Sequence, residues 1–417
     1  MNPRVHHRMF LLLVSACLLL GVPCDAQSPP SAGPASSAVT TIPRMPPVPD
    51  PSNLYSETAT GHMSPAVAGA LERIYVPNLR SNDVSVIDPA TFKVVDRFKV
   101  GINPQHVVPS WDLKTLYVAN NAERRTDGSL TPIDPTTGKP GAPIAVDDPY
   151  NMYFSPDGKS AIVVAEALKR LDFRDPHTME LQYSIAVPRC GGINHADFSI
   201  DGRFAIFTCE FNGTVAKIDL VERKVLGYLQ LIKPGKPTQL VKGPDGRDEI
   251  ICTVWKGMPQ DIRISPDGKL FYVADMMSDG VFVVDGESLR QIEFIPTGVG
   301  THGLYPSRDA TKLYVANRGS NKIHGPPHGK GSVSVIDFAT RKVVATWSIA
   351  GGGSPDMGNV SADGKTLWLS GRYDDVVYAF DTTSGEVKAI KVGAEPHGLA
   401  VWPQPGRYSL GHTGNMR

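Results

Sequence analysis

The amino-acid sequence predicts an all-β repeat protein, and three features of the chain lead to this fold class. A short apolar strand recurs with small changes, at Arg73–Asn78, Thr115–Asn120, Leu270–Asp275 and Lys312–Asn317. A second strand that ends in Ile-Asp follows several copies, as at Asp83–Asp88 and Ser332–Asp337. Turn residues separate the strands, and the chain holds 40 Gly and 36 Pro. Short strands at regular spacing, broken by turn residues, are typical of repeated β units.

The repeat boundaries indicate seven units of four strands. The innermost strand of each unit is predicted to begin at one of seven segments: Gln105-His106, Tyr150-Asn151, Asn194-His195, Gln260-Asp261, Thr301-His302, Asp356-Met357 and Pro396-His397. Most of these starts are spaced by about 40–45 residues, which is the period of propeller blades. Two longer intervals predict insertions at about 233–247 and 319–331. The sequence therefore predicts a seven-bladed β-propeller, since a β-sandwich does not explain this period.

The two ends of the repeat region complete each other. Only one predicted strand follows His397, and the first strands, within 73–100, lack an inner partner. One C-terminal strand and three N-terminal strands therefore make the seventh blade. Closing the ring in this way removes an open sheet edge that would otherwise template aggregation.

The chain divides into four predicted regions: a signal peptide at 1–26, a Pro/Ser-rich disordered linker at 27–71, the propeller at 72–404 and a C-terminal tail at 405–417. Arg4 and Arg8 precede an apolar run that is too short for a transmembrane span, and cleavage is expected after Ala26. A lipoprotein anchor at Cys24 fits less well because Pro23 precedes it. We therefore expect a periplasmic or secreted protein.

The repeats resemble those of the YVTN propeller family, which includes YncE-type exported bacterial proteins. The Tyr-Val-Ala-Asn and Val-Ser-Val-Ile-Asp motifs carry this resemblance over about residues 72–404. At greater distance the repeats are similar to haem-binding propellers of nitrite respiration. The resemblance implies the propeller fold and says little about activity. The Gly-His and Trp-Asp signature of another propeller class does not recur with the repeats.

The predicted starts of the inner strands gather distant residues, our candidate ligand contacts, at the mouth of the central channel. These residues are His106, Asn151, His195, Asp261, His302, Met357 and His397. Imidazole is the commonest metal-ligating side chain, and raw affinity among divalent ions favours copper. The four histidines therefore predict a copper or zinc site. Alternatively, Pro-x-His is a structural feature of the repeat, with each imidazole hydrogen-bonded to a neighbouring carbonyl group.

Three cysteines fall on the same predicted face. Cys190 precedes the third inner strand, Cys209 ends the strand beside it, and Cys252 precedes the fourth inner strand. In an exported protein we expect one disulfide, with Cys190 and Cys209 as the preferred pair. Buried free thiols, or a thiolate ligand of copper with methionines nearby, are the alternatives.

Charged residues also occupy the predicted turns at the channel mouth: Arg80, Arg124, Arg125, Glu166, Glu210, Arg318 and Arg372. Arg124, Arg318 and Arg372 are predicted ligand contacts, because guanidinium groups bind carboxylate or phosphate in a bidentate manner. Solvated loop charges are the alternative interpretation. The insertion that carries His324 and His328 is expected to form a flexible lid, and His412 and Arg407 of the tail either fold back to the ring or fray.

These features favour a binding protein that captures a metal ion or small ligand at the channel mouth. The alternatives are a propeller enzyme, either a metal-assisted lyase or lactonase or a copper oxidoreductase, and a scaffold that binds a periplasmic protein. Lys plus Arg and Asp plus Glu both number 42, which argues against a nucleic-acid partner. The sequence has no Cys-x-x-Cys-His motif, so covalent c-type haem is not expected.

Overall fold

The computed structural model describes residues 38–417 apart from 124, 244, 245, 247, 253–255 and 413. The side chains of 249–252 are also outside the described part. The predicted signal peptide, the first part of the predicted linker, Arg124 and the Cys252 side chain therefore lie outside the described residues.

The described strands form seven four-stranded antiparallel blades and one two-stranded hairpin. The outer strands of blade seven are β1 (Arg73–Asn78), β2 (Asp83–Asp88) and β3 (Lys93–Lys99). Blade one holds β4 (Pro104–Pro109), β5 (Leu116–Asn120), β6 (Asp127–Ile133) and β7 (Ile144–Asp147). Blade two holds β8 (Pro149–Phe154), β9 (Ala161–Ala165), β10 (Arg170–Arg174) and β11 (Leu181–Ala186). Blade three holds β12 (Ile193–Phe198), β13 (Phe204–Cys209), β14 (Thr214–Asp219) and β15 (Lys224–Gln230).

An inserted hairpin, β16 (Thr238–Lys242) and β17 (Asp248–Cys252), separates the third and fourth blades, within the longest predicted interval. Blade four holds β18 (Pro259–Ile264), β19 (Leu270–Asp275), β20 (Gly280–Asp285) and β21 (Arg290–Pro296). Blade five holds β22 (Thr301–Pro306), β23 (Lys312–Asn317), β24 (Ser332–Asp337) and β25 (Lys342–Ser348). Blade six holds β26 (Pro355–Val360), β27 (Thr366–Gly371), β28 (Val376–Asp381) and β29 (Val387–Lys391), and β30 (Ala400–Trp402) is the inner strand of blade seven.

The closure of the ring is confirmed. Strand β30 pairs antiparallel with β1, with Trp402 opposite Arg73 and Ala400 opposite Tyr75. The C-terminal strand thus completes a blade whose other three strands come from the N-terminal side. The predicted seven-bladed fold is likewise confirmed.

The recurring sequence motifs have a direct structural role. The Asn that ends the second strand donates its side-chain amide to a hydroxyl on the third strand, as Asn78 does to Ser85 Oγ at 3.0 Å and Asn317 does to Ser334 Oγ at 3.0 Å. A buried polar side chain is stable only when it is hydrogen-bonded, so this pair fixes the register of the two strands. The Tyr-Val-Ala-Asn and Val-Ser-Val-Ile-Asp motifs are therefore two halves of one contact.

The Ser-Pro-Asp-Gly segments form the turn between the first and second strands. In blade four Ser265 Oγ donates to Asp267 Oδ1 at 2.5 Å and accepts from the Leu270 backbone at 2.9 Å. Gly268 has a φ of +71°, a backbone conformation that side chains disfavour. These turns define the face of the ring opposite the channel mouth, which we call the lower face.

Residues 38–71 are the described part of the segment predicted as a linker. The segment contains two short 3-10 helices, Ser56–Thr58 and Pro65–Val67. It crosses the lower face, where the Leu54 backbone donates to Pro266 O at 2.7 Å and Tyr55 Oη donates to Ile264 O at 2.7 Å. Met45, Leu54 and Tyr55 are buried. A few large apolar side chains among many prolines are therefore sufficient to order the segment.

The C-terminal tail also folds back onto the lower face instead of fraying. The Ser409 backbone donates to Trp111 O at 3.2 Å, and the Phe154 backbone donates to Leu410 O at 3.0 Å. Tyr408, Leu410 and Met416 are buried. The tail thus covers the channel from the side opposite its mouth.

The insertion at 319–331 is held by blade six. Tyr373 Oη donates to Lys322 O at 2.7 Å, and the His328 backbone donates to Asp374 Oδ1 at 2.6 Å.

Across the described residues, no helix has the length and hydropathy needed to cross a membrane.

Candidate functional site

Each inner strand contributes two successive residues to the channel wall near its mouth. In blades three to six a β-bulge separates the first and fourth residues of the inner strand. A bulge re-aims side chains, so the second and third residues both reach the channel. The upper ring, formed by the second residues of six inner strands and by His397 before β30, is Gln105, Tyr150, Asn194, Gln260, His302, Asp356 and His397. The lower ring, formed by the third residues of the same six strands and by Gly398 before β30, is His106, Asn151, His195, Asp261, Gly303, Met357 and Gly398.

Blades five to seven contribute no imidazole to the lower ring, and two of their three residues in it are glycines. The C-terminal tail supplies an imidazole instead. His412 enters the channel, and its ring centroid lies 4.4 Å from that of His195 and 5.0 Å from that of His106. The centroids of His106 and His195 are 5.3 Å apart. One ring nitrogen from each of these three buried histidines lies within 4.8 Å of the other two. We call His106, His195 and His412 the channel triad.

His106 is oriented by the glycine in blade seven. A Cβ at Gly398 would stand 1.9 Å from His106 Nδ1, so any larger residue would collide with the ring. Because Nδ1 packs against this backbone, Nε2 is the nitrogen that is directed away from it. Neither nitrogen has a hydrogen-bond partner among the described residues, and the same holds for His195 Nε2.

Asn151 links the other two histidines of the triad. Its Oδ1 accepts a 2.8 Å bond from the Met152 backbone, which directs the amide nitrogen toward His412 Nδ1 at 2.8 Å and His195 Nδ1 at 3.1 Å. Both imidazoles accept through Nδ1, so each carries its proton on Nε2. His412 Nε2 lies 3.3 Å from Asp261 Oδ1, which is also 2.8 Å from Arg263.

A second cluster surrounds the buried carboxylate of Asp356. Its Oδ2 accepts from His397 Nδ1 at 2.7 Å, and its Oδ1 accepts from Arg318 Nε at 3.0 Å and lies 2.9 Å from His302 Nδ1. Burial alone would raise the pKa of Asp356, but Arg318 and the two histidines outweigh it and hold this pKa well below its usual value. Asp356 is therefore an anion at neutral pH.

Electrostatics keep the channel histidines neutral. Burial lowers the pKa of His106, His195 and His397 well below the usual value, and it lowers the pKa of His412 as well. Burial and the neighbouring Arg318 lower the pKa of His302 to about 4, against the opposing effect of Asp356. A neutral imidazole is the form that ligates metals.

The predicted site residues divide between these two clusters. His106, His195, Asn151 and Asp261 lie with His412, whereas His302, His397 and Arg318 lie with Asp356. Met357 has no contact to a histidine among the described residues, and its Sδ instead lies 3.4 Å from Tyr305 Oη. The sequence predicted Met357 as the ligand contact of this segment, but it is the preceding residue, Asp356, that contacts the histidines. Arg372 is buried at the mouth, and Arg124 lies outside the described residues.

The sequence pointed only weakly to His412 and Asp356. Asp356 stood in a segment identified as an inner-strand start, and the bulge decided which of its two residues reaches the histidines. His412 follows the last strand in a tail without periodicity, where the one signal is a histidine between two glycines.

Cys190 and Cys209 form a disulfide in the structure. Thr208, which precedes Cys209, accepts a 2.9 Å bond from the His195 backbone through Oγ1, so the disulfide lies next to the triad.

Comparison with known proteins gives two family matches. The sequence profile of the YncE-like β-propeller family matches residues 47–177 and 250–405. The profile of the seven-bladed lactonase β-propeller matches residues 149–325. No curated protein matches the chain.

Several solved structures share the fold. Hydrazine synthase of Kuenenia stuttgartiensis is 19% identical with a TM-score of 0.55, covering 79% of this chain and 94% of that chain. Dihydro-heme d1 dehydrogenase NirN in complex with DHE is 16% identical with a TM-score of 0.55, covering 82% and 77%. A functionally unknown protein of Desulfotomaculum acetoxidans is 13% identical with a TM-score of 0.57, covering 79% and 99%. At these identities the similarity concerns the fold alone.

Proposed function

Because the chain belongs to the YncE-like β-propeller family, whose fold alone does not determine an activity, we propose a function from the channel: the protein binds one copper or zinc ion through His106, His195 and His412. The observation that carries this proposal is the convergence of three buried, neutral imidazoles, with ligand nitrogens within 4.8 Å of one another.

The donor set suits such an ion. Metal–nitrogen distances of about 2.0–2.1 Å place tetrahedral ligands roughly 3.4 Å apart, so the three rings need to move closer by about 1 Å. Both ring nitrogens of His106 lack a partner among the described residues, and His195 would release Nδ1 from Asn151 to the metal because its Nε2 carries the proton. His412 would exchange its bond to Asn151 for the metal, and Asp261 would then orient the other nitrogen of the ring. A carboxylate beside a ligating histidine is the usual arrangement in metal sites.

The surroundings favour copper or zinc over harder cations. Imidazole suits zinc, copper, iron and nickel, whereas magnesium and calcium require oxygen ligands. Three histidines also leave a fourth position, which is typical of catalytic rather than structural zinc. The Cys190–Cys209 disulfide leaves no thiolate on these two residues, which supports imidazole ligation without sulfur. It also supports our proposal of an exported protein, since disulfides persist in oxidising compartments.

Metal titration of single variants tests the ligand set. Copper or zinc would be added to chelator-treated protein in the presence of a competing chromophoric chelator. We expect one equivalent to bind, and His106→Ala or His195→Ala to weaken affinity by at least about 100-fold. His177→Ala is the matched control because His177 is exposed on a distant turn. Equal affinity in all variants would refute the triad.

A metal-assisted lactonase or lyase is the second candidate. It is favoured by the lactonase profile match over 149–325 and by two acids near the channel, the buried Glu210 and the half-buried Glu166. Burial raises the pKa of Glu210, and burial together with Glu210 raises the pKa of Glu166 well above its usual value. A carboxyl group that keeps its proton near neutral pH serves as a general acid. Lactone hydrolysis that requires metal and is lost in Glu210→Gln would support this activity, and metal-loaded protein without turnover on a lactone panel would contradict it.

A further inference from the structure

A third ring of residues lies above the histidines, with its acidic residues on one side and its basic residues on the other. It consists of the residue that follows the second strand of each blade, in ring order Asn121, Glu166, Glu210, Met276, Arg318, Arg372 and Leu79. We call it the mouth ring. Blades two and three contribute two acids, and blades five and six contribute two guanidinium groups. Apolar or amide side chains stand between the two sides.

On the basic side, Arg372 has unused donors. The side chain is 5% exposed, and its NH2 lies 3.3 Å from Glu395 Oε1. Its Nε and NH1 have no hydrogen-bond partner among the residues that the structure describes. Arg318 differs, because Asp356 and Tyr373 Oη engage its guanidinium. Native proteins pair nearly all buried donors, so Arg372 points to a ligand that accepts hydrogen bonds.

On the acidic side, burial and Glu210 raise the pKa of Glu166, and burial raises the pKa of Glu210 against the smaller, lowering effect of Arg318 and Arg372. Glu210 Oε2 accepts a 3.0 Å bond from Asn194 Nδ2. Among the described residues, no Lys or Arg forms an ion pair with either carboxyl group. The charges that act on Glu166 come from Glu210, Asp148 and Glu123, all of which are acids. A cation between Glu166 and Glu210 would relieve this repulsion.

Tyr150 connects the acidic and basic sides of the mouth ring with the channel triad. Burial raises the pKa of the Tyr150 hydroxyl well above its usual value, Glu210 and Glu166 raise it further, and Arg372 and Arg318 oppose the rise. Its ring centroid lies 5.3 Å from that of His106 and 5.8 Å from that of His195. In the upper ring and the mouth ring, three buried amide oxygens have no partner in the described part of the chain: Gln105 Oε1, Asn121 Oδ1 and Asn194 Oδ1. The mouth ring therefore adds polar groups next to the channel triad.

We propose that the mouth ring binds a small dipolar molecule that carries a carboxylate and a protonated amine, such as a free amino acid. The carboxylate pairs with Arg372, and the ammonium group lies between Glu166 and Glu210. The ammonium group favours the ionised form of both acids, a dicarboxylate brings no such cation, and a diamine meets repulsion from the two arginines, so the ring selects by exclusion as well as by attraction. Binding uses no ligand of the proposed metal and does not depend on it.

Calorimetric titration of chelator-treated, full-length protein tests this site apart from the metal site. The probes are ω-amino acids from glycine to 6-aminohexanoate. The comparators are glutarate, which carries only negative charge, and cadaverine, which carries only positive charge. We expect one amino acid to bind at a ratio of one per chain, and both comparators to bind at least about 10-fold more weakly. Absence of binding by every amino acid, or equal binding of glutarate, overturns the proposal on the unaltered protein, where folding is not in question.

Two conservative variants assign the ends of the ligand. Arg372→Lys keeps the charge and removes the guanidinium fork, and Glu210→Gln removes a charge and keeps the acceptor for Asn194. Each is expected to weaken amino-acid binding by about 10-fold or more. Arg125→Gln is the control, because Arg125 lies on the same face but is exposed and paired with Asp127. Unchanged affinity in both variants would contradict the assignment.

Discussion

Asn151 donates its amide to His412 Nδ1 at 2.8 Å, across a sequence separation of 261 residues. This bond joins the inner strand of blade two to the tail that follows the last blade. It makes the C-terminus part of the channel wall, and the channel triad is complete only when the tail is docked. The tail should therefore be separable from the ring in its contribution to folding and to metal binding.

Two truncations test that separation. Deleting 405–417 removes His412 and three buried apolar side chains but keeps β30, so we expect a folded protein with a lower melting temperature and no bound metal. Deleting 394–417 also removes β30 and opens the ring, so we expect aggregation. Size-exclusion chromatography with thermal melting distinguishes the two outcomes. A cooperative, monodisperse 1–393 fragment would contradict the blade closure.

The Asp356 cluster should be a major source of stability. Asp356→Asn leaves Arg318 buried without its counter-ion, and breaking a buried pair in this way costs about 3–5 kcal/mol. Urea denaturation measures the loss. The control is Asp127→Asn, whose ion pair with Arg125 is exposed and whose replacement should leave the unfolding midpoint unchanged. Similar midpoints for both variants would show that the cluster is not stabilising.

Asp275 should make stability depend on pH. Burial raises the pKa of Asp275 from 3.8 to about 6. The raised pKa stabilises the fold in acid, and this contribution is lost as pH rises from about 4 to 6, for a total of roughly 3 kcal/mol. Asp275→Asn keeps the acceptor for Ser278 and avoids the loss. The variant should therefore gain about 1–1.5 kcal/mol over the parent between pH 5 and pH 7.5.

A second aspartate provides the comparison for this pH test. Burial alone would raise the pKa of Asp267, but hydrogen bonds from Ser265 and the Lys269 backbone lower it overall. The stability that the ionised Asp267 contributes is fully present above about pH 4. The loss of stability caused by Asp267→Asn should therefore be constant between pH 5 and pH 7.5. Parallel pH profiles for the two variants would contradict the role assigned to Asp275.

The disulfide should stabilise blade three. It joins residues 19 apart, and cross-links over loops of this length contribute about 3 kcal/mol. The Cys190→Ala/Cys209→Ala protein should therefore unfold at lower urea concentration than the oxidised protein. Identical midpoints, or two reactive thiols in the oxidised protein, would refute this expectation.

Repetition explains why the fold was predictable and parts of the site were not. Strand motifs such as Lys312–Asn317 recur because the same Asn–Ser contact recurs in several blades, and the pattern therefore indicated blade number and closure. His106 and His195 were predicted for the same reason, as both stand at repeated positions. His412 has no repeat equivalent, and Met45 and Tyr55 lie among prolines that suggested disorder. Contacts made once, by chain ends, leave no periodic signal.

The metal content of the purified protein tests the central claim most directly. Elemental mass spectrometry would be applied to the unaltered protein, His412→Ala and His177→Ala, each purified without chelating resins and incubated with copper and zinc. The account predicts one copper or zinc per chain in the unaltered protein and in His177→Ala, and none in His412→Ala. One equivalent retained by His412→Ala, or no metal in the unaltered protein, would contradict it.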